Sequence, residues 1–197
     1  MGAPQPLHPG GGSRTRRVGR GGHVRGFLGP LMAERPIRLF GDPILTSTTD
    51  PVDVSAPRTR DLVADLLDTV KLPGRAGVAA NQIGVGLRAF SYNIDGSVGY
   101  LLNPRLVKVW GEPEEMSEGC LSVPGLTYLR ERHPHAIAEG FTLEGELVEV
   151  EGEGLMAQAL QHELDHLEGV LYFQGLAPEH KKHALRAIRE SEWFRAP

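Results

Sequence analysis

The 197-residue chain has a single cysteine, Cys120. One thiol cannot form a disulfide within the chain, so a disulfide-stabilised scaffold is excluded and an oxidising compartment is not required. Cys120 is therefore a buried thiol, a nucleophile or a metal ligand. The chain also lacks any apolar run near the ~20 residues that a transmembrane helix needs. Its length predicts one domain with some chain left over.

Acidic residues are missing from the first 33 positions, which hold five arginines and therefore carry a formal charge of +5. This stretch is rich in glycine and proline and has no apolar periodicity, so we expect 1–33 to be a disordered extension and 34–197 to form the folded domain. The extension also lacks the apolar segment of a secretory signal. The rest of the chain carries −9, which argues against direct nucleic-acid binding by the folded part.

Apolar periodicity predicts two helices, one on each side of a long central stretch of the sequence. The first spans 58–70 and is followed by Pro73-Gly74, and the second begins near Gly154 and stops at Gly169. A last helix begins at Pro178, since proline is favoured in a first turn. The side chains expected to face inward are Leu62, Val63, Leu66, Leu67 and Val70 in the first helix, and Leu155, Ala159, Leu160, Leu164 and Leu167 in the second.

Short strands are predicted mainly between the first two helices. Asp95-Gly96 is typical of the two-residue turn of a β-hairpin. Because short strands are followed by a central helix, the pattern indicates an α+β fold with short antiparallel sheets around that helix. The strand candidates are 87–92, 100–102, 106–110, 136–141 and 147–150.

The central helix carries two histidines at metal-ligand spacing. His162 and His166 are four residues apart and project from one helical face. Two imidazoles so placed can hold one divalent metal, and Glu163 beside them can exchange a proton with a water on that metal. The alternative is a solvated helix face with two ordinary histidines.

Cys120 is the candidate for a third ligand. A lone cysteine is more often a small buried hydrophobe, but Gly119 beside it permits a close backbone approach. A Cys-His-His set would leave one position open for water, as catalytic sites require. A further segment, 77–86, combines small residues with Gln82, which is either a donor to a developing oxyanion or a surface glutamine in a turn.

These three segments together resemble the peptide deformylase family, over about residues 35–190. The aspartate directly before the second histidine, combined with the cysteine, separates the pattern from ordinary His-Glu-x-x-His peptidases. The segments that carry the resemblance are Arg75-Ala76-Gly77-Val78-Ala79-Ala80-Asn81-Gln82, Glu118-Gly119-Cys120-Leu121-Ser122 and Gln161-His162-Glu163-Leu164-Asp165-His166-Leu167.

The resemblance implies the deformylase fold and a metal-dependent hydrolase that removes the N-formyl group from the initiator methionine of nascent chains, releasing formate. It implies one divalent metal on Cys120, His162 and His166: Fe²⁺ natively, with Zn²⁺ or Ni²⁺ as substitutes. Glu163 would be the general base, and Gln82 and the backbone N–H of Leu121 would bind the oxyanion. Contacts with substrate are expected from Gly77, Gly119, Leu155, Gln158 and Ala159.

One position in these segments has a structural interpretation, and two positions depart from the family pattern. Asp165 should point away from the metal and pair with Arg132. Arg75 occupies the place of a family glycine, which affects the rim of the substrate site. Thr127 stands where many relatives carry an arginine, which predicts a weaker or differently arranged contact with the peptide.

Two alternatives remain. A metallopeptidase would need a histidine or glutamate ligand after the helix, and Glu168 lies on the wrong helical face for that role. A catalytically silent, metal-binding relative that only contacts nascent chains or ribosomes would have lost the general base or the oxyanion donor. For the enzyme we expect transient ribosome contact, no membrane association and the bacterial cytoplasm, with an organelle as the less favoured location.

Overall fold

The computed structural model describes residues 35–195. The predicted extension, 1–33, lies outside these residues, and the domain boundary next to it stays a prediction. The helices are α1 (Pro57–Val70), α2 (Gly154–Leu167), α3 (Pro178–Glu190) and α4 (Glu192–Arg195), with short 3-10 helices at Pro43–Thr46, Ala80–Ile83 and Tyr172–Gly175. No helix within this part of the chain combines the length and apolarity needed to cross a membrane.

Within residues 35–195, seven strands form two antiparallel sheets, which confirms the predicted α+β class. Five of them pair in the order β1-β2-β3-β6-β7, and β4 pairs only with β5. The strands are β1 (Gly77–Ala79), β2 (Ala89–Ile94), β3 (Ser97–Trp110), β4 (Glu114–Cys120), β5 (Val123–Arg132), β6 (His135–Phe141) and β7 (Leu147–Glu153).

The predicted hairpin at Asp95-Gly96 is confirmed. Ile94 pairs with Ser97 across it, and both turn residues have positive φ values, 50° and 81°. A two-residue turn with positive φ at both positions matches the right-handed twist of the strands it joins. The turn therefore fixes the register of β2 against β3.

The prediction of two separate strands at 100–102 and 106–110 is wrong, because both belong to the single strand β3. Its register against β6 shifts between Leu102 and Arg105. Asn103 lies there with a φ of 48°, and its side chain accepts from the N–H of Val52 (2.6 Å) and donates to the carbonyl of Val52 (2.9 Å). The irregularity is thus a bulge whose polar groups are satisfied by a distant segment.

The five-stranded sheet is covered on both faces. Neighbouring residues of one strand belong to different clusters: Val78 packs with α1, whereas Ala79 packs with α2. Because successive side chains of a strand point to opposite faces, α1 and α2 must lie on opposite sides of the sheet. A third apolar cluster joins the β4–β5 hairpin to α3 and the 3-10 helix Tyr172–Gly175.

One inward-facing prediction in α2 is wrong. Ala159, Leu160, Leu164 and Leu167 are buried, but Leu155 is 50% exposed. Leu155 lies in the first turn of α2, where the helix reaches the mouth of a cavity, and it lines that cavity. Its apolar side chain is therefore available to a ligand.

Candidate metal centre

Helix α2 and the end of β4 bring three ligand atoms together. Nε2 of His162 lies 3.1 Å from Nε2 of His166, which lies 3.2 Å from Sγ of Cys120. All three atoms fall within 4.8 Å of one another. The spacing of four residues places the histidines on one turn of α2, and the register of β4 against β5 places the cysteine opposite them.

This donor set fits a divalent metal. A tetrahedral ion with ordinary metal–sulfur and metal–nitrogen bonds would hold such atoms about 3.3–3.6 Å apart. The two separations from His166, 3.1 Å to His162 and 3.2 Å to Cys120, are slightly shorter, so a small outward movement of these side chains would seat an ion. Thiolate and imidazole suit iron, zinc and nickel, and three protein ligands leave a position for water.

Glu118 orients one of the two histidines. Nδ1–H of His162 donates to Oε1 of Glu118 at 2.8 Å, which directs Nε2 toward the other ligands. Nε and Nη2 of Arg132 in turn donate to the two carboxylate oxygens at 2.8 and 2.7 Å. Burial alone would raise the pKa of Glu118, but the hydrogen bonds from Arg132 and His162 outweigh it and hold that pKa below its usual range. Glu118 is therefore an anion that fixes the imidazole tautomer.

The predicted pair between Asp165 and Arg132 is confirmed, at 2.9 Å. Asp165 also accepts from Arg130 at 2.8 Å, and Arg130 further donates to the carbonyl of Tyr172. These contacts join α2 to β5 and to the 3-10 helix that follows α2. Asp165 therefore holds the scaffold of the site together.

Glu163 is a buried carboxylate next to the ligand atoms. It is 2% exposed, and its Oε2 has no hydrogen-bond partner among the described residues. Burial raises its pKa to about 7, an effect that the charge of His162 opposes. Gly77 packs directly against it, since a Cβ at that position would overlap Oε1 of Glu163. A carboxyl group with such a pKa is suited to exchange protons near neutral pH.

Gln82 is buried, so its interpretation as a surface glutamine in a turn is wrong. It lies in the 3-10 helix Ala80–Ile83, where its Oε1 accepts from the N–H of Ala79 at 2.9 Å. That bond aims Nε2 at Ser122 Oγ (3.2 Å) and Cys120 Sγ (3.5 Å). The amide therefore presents a donor beside the ligand atoms.

A segment distant in sequence from the candidate ligands connects the 3-10 helix that carries Gln82 to the turn after Cys120. The N–H of Arg38 donates to the carbonyl of Gln82 at 2.7 Å, and the N–H of Phe40 donates to the carbonyl of Ser122 at 2.8 Å. We call residues 37–40 the strap. It connects the segment that carries Gln82 to the turn that follows Cys120.

The ligand atoms lie beside a cavity of about 540 Å³. All five residues predicted to contact substrate line it, as do Gln82, Leu121 and Glu163. Gln158, which is unexpectedly polar for a side-chain pocket, donates to the carbonyl of Ser117 at 3.1 Å and to Glu118 at 3.4 Å. Its amide is therefore bound to β4. The substrate candidates are Gly77, Gly119, Leu155, Gln158 and Ala159.

Sequence reasoning missed the roles of Glu118 and Arg130. The position of Glu118 in the cysteine segment was the available signal, but nothing local shows which histidine it contacts. Glu168, which we expected to lie on the wrong helical face to be a metallopeptidase ligand, pairs with Arg88 at 2.7 Å.

Comparisons with known proteins agree with this geometry. The family model described as polypeptide deformylase matches residues 34–182. A peptide deformylase of Acidothermus cellulolyticus is 50% identical over 162 residues, which cover 82% of this chain and 89% of that protein. One of Parafrankia is 45% identical, with 84% and 91% covered. The crystal structure of a Legionella pneumophila peptide deformylase superimposes with a TM-score of 0.75 at 34% identity, covering 84% of this chain and all of that one. The chain belongs to the polypeptide deformylase family.

Proposed function

We propose that this protein removes the N-formyl group from the initiator methionine of nascent polypeptides and releases formate. The observation that carries the proposal is the Cys-His-His set at a cavity of about 540 Å³, which the buried carboxylate of Glu163 also lines. Family membership specifies the bond to be broken, a formyl amide.

Cys120, His162 and His166 are proposed as the metal ligands. A divalent ion on these side chains would polarise the formyl oxygen and acidify water. We assign Fe²⁺ as the native ion and Zn²⁺ or Ni²⁺ as substitutes, in keeping with the mixed sulfur and nitrogen donors.

Glu163 is proposed as the general base and acid. Its buried carboxylate, with a pKa of about 7, accepts a proton from the attacking water and passes it to the leaving amine. Glu118 and Arg132 keep His162 in position during this transfer. Gly77 keeps the carboxylate in its rotamer, because no side chain competes for that space.

Gln82 and Leu121 are proposed as the oxyanion donors. The amide of Gln82 is fixed by its bond from Ala79, so its Nε2 needs no reorganisation when charge develops on the formyl oxygen. Leu121 lies in the turn between β4 and β5 and lines the same cavity. The methionine side chain is assigned to Leu155, Gln158 and Ala159, with backbone contacts from Gly77 and Gly119.

Transient contact with the ribosome follows from a nascent-chain substrate and is part of the proposal, as is a cytoplasmic location. A groove along α3 that would suit such contact is lined by Lys181, Lys182, Arg186 and Arg189, with Glu190 as its acidic member. The silent-relative alternative is disfavoured because Cys120, Glu163 and Gln82 are all present and close together.

The test is formate release from formyl-Met-Ala-Ser by protein purified without oxygen, with bound metal quantified. We expect turnover with about one metal ion per chain, and Glu163→Gln should keep the metal while turnover falls by several orders of magnitude. Glu168→Gln, the same substitution at an exposed carboxylate that pairs with Arg88 and does not line the cavity, is the matched control. Bound metal without formate release, under both iron and nickel loading, would support the silent relative instead.

A further inference from the structure

Asn81 is a fully buried polar residue to which the proposed function gives no role. It lies next to Gln82 in the 3-10 helix Ala80–Ile83 and has no exposed surface. Its Nδ2 donates to the main-chain carbonyl of His166 at 2.5 Å, across 85 positions of the chain. The 3-10 helix that carries the proposed oxyanion donor is therefore attached to α2, which carries two of the proposed metal ligands.

The attachment lies at the backbone of a proposed ligand. Nε2 of His166 is 3.2 Å from Sγ of Cys120, and Nε2 of Gln82 is 3.5 Å from the same sulfur. The bond from Ala79 fixes the side chain of Gln82 within its own segment, whereas the bond from Asn81 fixes that segment against α2. Metal–ligand bond lengths fix an ion relative to its ligands. The position of the 3-10 helix against α2 thus determines how far the amide lies from the ion.

The amide of Asn81 is not needed to satisfy its partner. The carbonyl of His166 also accepts from the N–H of Gly169 at 3.0 Å, so it stays paired when Asn81 is replaced. Oδ1 of Asn81 is buried and has no hydrogen-bond partner among the described residues. Burial of such an atom costs free energy. An apolar side chain of similar size therefore removes one favourable bond and one unfavourable burial, and we expect the two to offset each other.

We infer that Asn81 is a positioning residue for deformylation, which acts through Gln82 by holding its amide at the correct distance from the metal ligands. The inference rests on the proposed function, in which Gln82 binds the oxyanion together with Leu121. The oxyanion develops only in the transition state, so loss of this support lowers kcat and leaves KM nearly unchanged.

The first measurement is the kinetics of formate release from formyl-Met-Ala-Ser by Asn81→Leu. We expect kcat to fall about 10-fold and KM to stay within about 2-fold, because a small displacement of a donor weakens transition-state binding. Asn93→Leu is the matched control, since its amide also donates to a main-chain carbonyl, that of Val70, but does not line the cavity. Asn81→Ala removes the same amide without adding bulk and carries the same expectation. An unchanged kcat in Asn81→Ala and Asn81→Leu overturns the inference.

A double-mutant cycle tests whether Asn81 acts through Gln82. Gln82→Leu removes the donor and should lower kcat by about 100- to 1000-fold. Residues that act through one another are not additive. Adding Asn81→Leu to Gln82→Leu should therefore lower kcat no further. A further 10-fold loss in the double variant would mean that Asn81 supports the fold in general, and would overturn the inference.

Two measurements without turnover separate positioning from a structural role. Chelator competition should give Asn81→Leu a Kd for Zn²⁺ within about 3-fold of that of the parent protein, and its Tm should lie within about 5 °C of the parent value. A Kd weakened 10-fold or more would place the effect on His166 and overturn the inference.

Failure of the proposed function has a different signature. The parent protein would then release no formate under iron or nickel loading, or Gln82→Leu would keep full kcat. Either result removes the oxyanion role of Gln82 and the inference with it. A parent that is active, impaired by Gln82→Leu and indifferent to Asn81→Leu overturns the inference alone.

Discussion

Gly77 is the residue on which the position of Glu163 most directly depends. Any Cβ at position 77 would overlap the carboxylate of Glu163, so a side chain there would force that carboxylate to shift from its present position. The small size of residue 77 is thus a requirement for the present position of Glu163, the proposed general base.

We expect Gly77→Ala to lower kcat by roughly 100-fold. Its Cβ would displace the carboxylate of Glu163, the proposed general base, and a shift of about 1 Å in a catalytic group lowers the rate by about that factor. Metal content should stay near that of the parent protein, since no ligand contacts position 77. Gly86→Ala is the matched control: a Cβ there meets nothing within 4 Å. Equal activity in the two variants would mean that Glu163 relaxes without cost.

Cys120→Asp tests the proposed thiolate ligand. A carboxylate can bind a divalent ion, but it is a harder donor than a thiolate and differs in length. We expect weak metal binding and loss of most activity, measured by metal content after dialysis and by formate release. Ser117→Ala, earlier on the same strand, is the control. Full activity in Cys120→Asp would remove the thiol from the ligand set.

The two proposed histidine ligands were accessible from sequence because a helix fixes the relative positions of residues four apart. His162 and His166 had to share a face wherever the helix was placed. Glu118 could not be assigned in the same way. Its contact with His162 spans 44 positions along the chain and depends on how β4 packs against α2.

At the scale of elements, the β4–β5 hairpin was missed although it carries Cys120. β4 begins with two exposed glutamates, Glu114 and Glu115, and carries a buried one, Glu118, so no alternation of apolar residues marks it as a strand. Its partner is β5 alone, and the pairing is stabilised by side chains that reach α2. By contrast, α1 and α2 were predicted within a residue or two because burial against a sheet imposes helical periodicity.

Arg132 is the side chain that joins this hairpin to α2. It is buried and bonds both Glu118 of β4 and Asp165 of α2. We expect Arg132→Met to lower the free energy of unfolding by about 3 kcal/mol, because it leaves a buried carboxylate without its main partner. Metal affinity should fall about 10- to 100-fold, because Glu118, which orients His162, loses the two hydrogen bonds from Arg132 that fix it.

Denaturant unfolding and metal titration measure these two effects. Arg105→Met is the control: Arg105 pairs with Glu139 on an exposed face, and loss of such a pair costs less than about 1 kcal/mol. If the two variants were equally stable, the buried network would contribute no more than a surface pair.

At the scale of the whole molecule, we expect the strap to be the first segment of the chain that the site requires. Removing residues 1–31, so that the chain starts at Met32, should leave formate release and thermal stability nearly unchanged. Starting the chain at Gly41 removes Arg38 and Phe40 with their bonds to Gln82 and Ser122. We expect that shorter chain to lose at least 10-fold in kcat/KM, since the oxyanion donor loses part of its support.

The two truncations are compared by formate release and by thermal unfolding. A large loss on removing 1–31 would give the extension a part in folding or catalysis that its composition does not predict. Full activity from Gly41 onward would show that Gln82 is held well enough by Ala79 alone.

The position of the one cysteine allows metal occupancy to be measured by labelling that thiol. Cys120 is the sole thiol of the chain and lies among the ligand atoms. A coordinated thiolate reacts slowly with alkylating reagents and a released one reacts quickly, so the labelled fraction equals the fraction of empty protein. Oxidation of this one atom would likewise disable the whole site, which links activity directly to the redox state of the surroundings.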